Sequence, residues 1–136
     1  MEKTKIDLIN NYLKKDNFIL AVYFFGSQIK GKSSRYSDID IAILFDNKVK
    51  EEEYTDKQIV IINDLTAILG KEIDVTVLNR ASLFLRYHIL KEGMKIYERP
   101  TRVEHNFEAM AIMQYFDFLP IKNRIENGLL SKIKGA

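Results

Sequence analysis

The stretch GSQIKGKSSRYSDIDIAILFD, from Gly26 to Asp46, sets two aspartates, Asp38 and Asp40, at alternate positions at the head of an apolar run. Ionised carboxylates are costly to remove from water unless something compensates them. Two side by side cost more, because like charges repel. Residues two apart in a strand share a face. The spacing therefore predicts that Asp38 and Asp40 aim together, about 7 Å apart along the strand, with Ile39, Ile41 and Ile43 turned the other way into a core. Two convergent carboxylates at the mouth of a sheet suit a hard cation such as Mg²⁺, which takes oxygen ligands from one or two carboxylates and from substrate phosphates. Asp74, at the head of DVTVL, is a third candidate if its strand neighbours the first. Three carboxylates can hold two metal ions, one for the attacking oxygen and one for a triphosphate. The bland readings are an exposed pair on an edge strand for Asp38 and Asp40, and an ordinary strand-start residue for Asp74.

Working outward, Ile6, Ile9, Tyr12 and Leu13 fall on one helical face, so the spacing predicts a first helix over Lys3 to Lys15. Phe18–Phe25 is rich in β-branched and aromatic residues and ends at Gly26-Ser27, as a buried strand would. Gln28 to Ser37 is polar and reads as a loop, Asp38–Phe45 as a second strand, and Asp46 to Glu53 as a charged, solvated connection. Ile59, Ile62, Leu65 and Leu69 space a helix that Gly70 ends. KEIDVTVLN reads as a third strand, ASLFLRYHILKE as a helix stopped at Gly93, and MKIYER as a fourth strand. Thr101 onward reads as helical, with Pro120 expected to kink or split it. This order predicts an α/β fold: a small mixed β-sheet flanked by helices, with a C-terminal helical segment over about 101–134.

Size and composition allow one domain over residues 1–136 with a real core, since 46% of residues are hydrophobic. A net charge of +2 does not predict a nonspecific nucleic-acid binder. The absence of cysteine excludes disulfides and thiolate metal sites. The N-terminal stretch is charged and amphipathic, without the apolar centre of a signal peptide. The longest apolar run, Phe18–Phe25, falls far short of the ~20 residues of a membrane helix. A soluble cytoplasmic protein with no membrane partner is expected. The two histidines, His88 and His105, read as helix-face residues rather than metal ligands.

Gly26-Ser27 follows an apolar strand and precedes a polar loop. A glycine lets backbone amides approach a phosphate closely, and a serine hydroxyl with successive N–H groups can hold phosphate oxygens. Lys30, Lys32 and Arg35 could add charge, and Tyr36 could stack on a base. Taken alone, Gly-Ser is more often a plain turn. Taken together, Gly26-Ser27, ten residues and Asp38-x-Asp40 on a strand–turn–strand resemble the signature of the nucleotidyltransferase superfamily that includes DNA polymerase β and the minimal nucleotidyltransferases. Ser37 before Asp38 fits as well. The tail residues Phe107, Glu108, Ala111, Tyr115, Asp117, Phe118 and Pro120 resemble the closing helix of MntA-type antitoxins of HEPN toxins. Lys30 stands where that family often has Arg, and Ile29 where it has a small residue.

The resemblance implies a nucleotidyltransferase fold. It implies Gly26, Ser27, Lys30 and Ser37 as nucleotide contacts and Asp38, Asp40 and Asp74 as catalytic ligands of Mg²⁺, two ions in all. It further implies a cytoplasmic antitoxin that moves AMP from ATP onto a tyrosine of a cognate HEPN RNase toxin, in a hetero-oligomer with it. Two other functions stay open from the sequence: a noncatalytic module that masks its toxin sterically, and a small-molecule nucleotidyltransferase of the antibiotic-modifying type. The latter is disfavoured by size, because such enzymes usually add a helical domain to hold the acceptor.

Overall fold

The run Ile39–Phe45 is β-branched or aromatic at every second position, and each of its residues is buried, which fits a strand covered on both faces. In the computed structural model, which describes residues 3–26 and 38–135, this run is β2. Before it come α1 (Lys3–Leu13) and β1 (Ile19–Phe25). After it come α2 (Tyr54–Leu69), β3 (Ile73–Val77), α3 (Leu83–Glu92), β4 (Met94–Glu98) and α4 (Arg102–Gly135). The expected order of helices and strands holds. The connection after β2 is more ordered than its charge suggests: Glu51–Glu53 form a 3-10 turn that leads into α2.

The strands form one mixed sheet in the order β3-β2-β1-β4. β2 runs antiparallel to β1 and parallel to β3, and β4 pairs antiparallel with β1. β2 is thus a central strand, and the edge-strand reading of its aspartate does not hold. On one face Ile39, Ile41, Ile43 and Phe45 pack with Val75 and Val77 against Ile9 and Leu13 of α1 and Ile61 and Leu65 of α2. On the other, Ala42, Leu44, Tyr23 and Phe25 pack with Ile89 of α3 and Phe107 of α4. A register shift between Ile19 and Ala21 turns both Leu20 and Ala21 to this second face, as an extra residue in a strand does.

Two glycines set the chain path. Gly70 closes α2 in the left-handed conformation (φ 66°), with its N–H on Thr66 O, and so aims the chain into β3. Gly93 sits where α3 turns into β4. A Cβ built there would lie 2.6 Å from Ile89 O and 3.1 Å from Phe24 O. Pro120 does not split the last helix, which runs from Arg102 to Gly135 as one element. Proline deprives the carbonyl four residues back of its donor. That carbonyl belongs to Phe116, whose surroundings are exposed, so water can take the bond.

The glycines give a paired expectation. Gly93→Ala drives a methyl into two backbone carbonyls and should cost about 1–3 kcal/mol. Gly128→Ala, in α4 with nothing within 4 Å of the new methyl, should stabilise by about 0.5–1 kcal/mol through helix propensity. Urea unfolding of the two variants checks the signs.

Candidate active site

The register of three strands builds the site. Asp40 lies opposite Phe25 of β1 on one side and opposite Asp74 of β3 on the other. Register partners in a parallel pair point to the same face, so Asp40 and Asp74 stand abreast on adjacent strands, whose spacing is about 4.8 Å. Both lie on the face that carries Ala42, away from Ile39 and Ile41. Asp40 is 4% exposed and Asp74 half-buried. Gly26 follows Phe25 and therefore ends at the same rim.

Asp38 behaves differently. The strand begins at Ile39, so period-two alternation does not bind the side chain before it. Its Oδ2 accepts from Glu72 N–H (3.1 Å), while the N–H groups of Asp38 and Ile39 both donate to Glu72 O (3.0 and 3.1 Å). Asp38 also lines a cleft of about 220 Å³ with Lys5, Phe24, Ile39 and Lys71, and Phe24 and Ile39 belong to the α1–α2 face. Asp38 is exposed. The expectation that all three carboxylates aim together is therefore not met as the side chains lie: among the described residues no three His, Cys, Asp or Glu side chains form a group that could hold a metal ion. Ser27, Lys30, Lys32, Arg35, Tyr36 and Ser37 lie outside the described residues. His88 packs on Phe84 (4.3 Å between ring centroids) and faces Glu92 at 3.5 Å, and His105 is exposed on α4.

Sequence reasoning missed a charged cluster on the same face as Asp40. Lys95 of β4 donates to Glu104 Oε1 (2.7 Å) and Glu98 Oε2 (3.0 Å), and stands 3.1 Å from Glu108 Oε2. Tyr23, opposite Lys95 across β1–β4, donates its hydroxyl to Glu108 Oε2 (2.5 Å). Glu104 is fully buried. Burial by itself would lower the Lys95 ammonium, but the hydrogen bonds to Glu104, Glu98 and Glu108 outweigh it and hold the group above its ordinary range. Burial, then the Glu108 carboxylate, raises the Tyr23 phenol. The signal was present: Glu104 and Glu108 are one turn apart on the stripe that continues through Ala111 and Tyr115, both buried.

The mixed sheet thus carries buried Asp40 and half-buried Asp74 abreast at its rim, beside the glycine that follows β1. Residues 7–102 match the polymerase beta, nucleotidyltransferase family, and the chain belongs to it. It is 25% identical over 123 residues to the protein adenylyltransferase MntA of Aphanizomenon flos-aquae (strain 2012/KM1/D3), a match over 85% of this chain and 81% of that protein. The crystal structure of a toxin–antitoxin with AMP-PNP contains a similar chain, with a TM-score of 0.67 at 21% identity over 96% of this chain and 99% of that one. The structure of tri-AMPylated Shewanella oneidensis HEPN toxin in complex with MNT antitoxin contains another, with a TM-score of 0.65 at 20% identity over 92% and 98%. No helix among the described residues is long and apolar enough to cross a membrane.

The cluster under α4 sets its own expectation. Lys95→Met leaves the buried Glu104 without its cation and should destabilise the fold by about 3 kcal/mol. Adding Glu104→Gln should recover part of that loss. Lys95 and Tyr23 both hold their protons more tightly folded than unfolded. Their stabilisation is therefore fully present below their unfolded pKa values of about 10 and is lost as pH rises above them. Denaturant titrations from neutral to alkaline pH should show that fall in the wild type and a shallower one in Lys95→Met.

Proposed function

We propose that this chain is an MntA-type antitoxin: a Mg²⁺-dependent protein adenylyltransferase that moves AMP from ATP onto a tyrosine of a cognate HEPN RNase toxin and works in the cytoplasm in a complex with it. The observation that carries the reading is the register pairing of Asp40, on a central strand of a nucleotidyltransferase sheet, with Asp74 on the neighbouring edge strand. The MntA relative and the AMPylated toxin in the similar structure support protein as acceptor and AMP as the group moved. The AMP-PNP in the other structure supports an adenine nucleotide as donor.

The donor set fits Mg²⁺. It is all-oxygen and anionic, and this ion commonly completes its shell with substrate phosphates and water. Asp40 and Asp74 would hold it, joined by Asp38 once its carboxylate turns from the Glu72 amide. When bound, the ion neutralises charge on the triphosphate and lowers the pKa of the attacking hydroxyl. The backbone at Gly26 and Ser27, with Lys30 and Ser37, would seat the triphosphate.

The chain's own residues then position and deprotonate. A tyrosine hydroxyl has a pKa of about 10 and is a poor nucleophile at neutral pH. Asp74 takes its proton as the phenolic oxygen attacks the α-phosphorus. The new O–P bond forms as the bond from that phosphorus to the bridging oxygen breaks, and pyrophosphate leaves with the electron pair.

Incubation of the toxin with this protein, ATP and Mg²⁺ should add AMP groups, read by intact-mass spectrometry. No increment across several nucleotides would end the adenylyltransferase reading. The double variant Asp38→Asn, Asp40→Asn should keep its fold, because Asn is nearly isosteric, and lose transfer. Asp74→Asn should cut transfer while ATP still binds. A double variant that still protects cells as well as wild type would instead support steric masking. Mg²⁺ with ATP should raise the melting temperature, as a ligand at a hundredfold excess over Kd contributes about 2.7 kcal/mol. ATP with excess chelator should raise it much less.

A further inference from the structure

The stripe of α4 that meets the core is Phe107, Ala111 and Tyr115, and half-buried Phe118 continues it. The sheet and α3 cover its first part: Phe107 packs on the second core, Ala111 and Tyr115 are buried, and Tyr115 stacks on Tyr87 at 4.0 Å. The stripe continues at helical spacing through Ile121, Ile125 and Leu129. Nothing among the described residues covers these three, which are 50%, 57% and 56% exposed. A projecting helix of this length is marginal in water on its own propensity. An apolar stripe kept on one azimuth past the domain's edge is the pattern of a helix that packs against something.

Charge selects the occupant. From Ile121 to the C-terminus the chain carries Lys122, Arg124, Lys132 and Lys134 against Glu126 alone. A second copy laid on the stripe would bring two basic flanks together, which like-charge repulsion disfavours. A lipid-surface helix is usually anchored by Trp, Phe or Leu, and the three exposed positions offer two isoleucines and one leucine. Position points to a protein as well. β4 ends at the far end of the sheet, where Arg99 N–H donates to Leu20 O, and α4 returns along the face, reaching the Tyr23 hydroxyl at Glu108. The helix thus runs toward the end that carries Asp40 and Asp74 before it leaves the domain.

We propose that Ile121, Ile125 and Leu129, flanked by Lys122 and Arg124, dock the acceptor protein itself through an apolar groove edged with acidic residues. The stripe thereby supplies an acceptor-binding surface beside the nucleotidyltransfer site. This inference rests on the reading of the chain as a protein adenylyltransferase.

The test uses full-length protein and the HEPN protein encoded by the neighbouring reading frame. The triple variant Ile121→Gln, Ile125→Gln, Leu129→Gln should keep its melting temperature and ATP affinity, since these side chains are exposed. It should bind the HEPN protein at least thirtyfold more weakly without nucleotide. In AMP transfer its KM for the HEPN protein should rise while kcat at saturation stays. Lys122→Glu with Arg124→Glu should weaken binding at low salt and less at high salt. Unchanged binding by the triple variant overturns the proposal. So does a wild-type mass of two copies that the variant halves while HEPN affinity stays, and so does wild-type binding to anionic vesicles that the variant loses while HEPN affinity stays. If the wild type binds the HEPN protein through this stripe but never transfers AMP, docking stands and the adenylyltransferase reading fails.

Discussion

The parallel pairing of β2 with β3 is the constraint on which the rest depends. It alone puts Asp40 beside Asp74. Hydrogen bonds pin it at both ends. At the rim, Asp38 and Ile39 donate to Glu72 O, and the Asp38 carboxylate takes the Glu72 amide. At the far end, Asn79 accepts from Phe45 N–H and donates to Phe45 O, both at 2.9 Å. A slip of one residue in β3 would turn Asp74 to the α1–α2 face and bury Thr76 where Val75 or Val77 now packs. The hydrophobic alternation that fixes the core therefore fixes the carboxylates too.

The two faces of the sheet carry different burdens. The face under α1 and α2 is an apolar layer of Ile, Val and Phe. The face under α3 and α4 holds nearly everything ionisable that is buried: Asp40 at the rim and Glu104 in its counter-ion cluster. Removing such charges from water is expensive, and Lys95 compensates Glu104 by holding three carboxylates at once. That cluster fastens α4 to β4 and β1, which gives the exposed half of the helix a fixed point of departure. The charged layer thus serves two ends on one face, the proposed reaction site at the rim and an anchored arm beside it.

Much of this was legible in the sequence because periodicity reports burial. The alternation in DVTVL and in the run after Asp40 gave the strands and the facing of Ile39, Ile41 and Ile43, and Gly70 and Gly93 marked two helix ends. The central position of β2, which makes Asp40 costly, depends on pairing that periodicity does not encode. Asp38 escaped for a local reason: strand alternation begins only at Ile39, so its side chain follows the Glu72 amide instead. Of the two outcomes expected at Pro120, a kink or a split, the split does not occur, because a proline costs a helix less where solvent can satisfy the freed carbonyl. Glu104 escaped because a carboxylate on an apolar stripe reads as solvated until its counter-ion, from a separate strand, is known.

The shape of the rim bears on what the acceptor is. Small ligands bind in concavities of about 300–1,000 Å³ that enclose most of their surface. The cleft at Asp38 is about 220 Å³, too little to hold a small acceptor together with a nucleotide. The larger cleft, about 680 Å³, lies at the other end of the sheet, around Phe18, Ile19 and Lys57, remote from Asp40 and Asp74. Both clefts open on the face under α1 and α2, not on the face that carries Asp40 and Asp74. Transfer needs its two reactants held in register, because orientation supplies a large part of the rate. A folded acceptor protein can share in that orientation by docking beside the site. The uncovered stripe of α4, with Ile121, Ile125 and Leu129 exposed, is the docking face proposed for it.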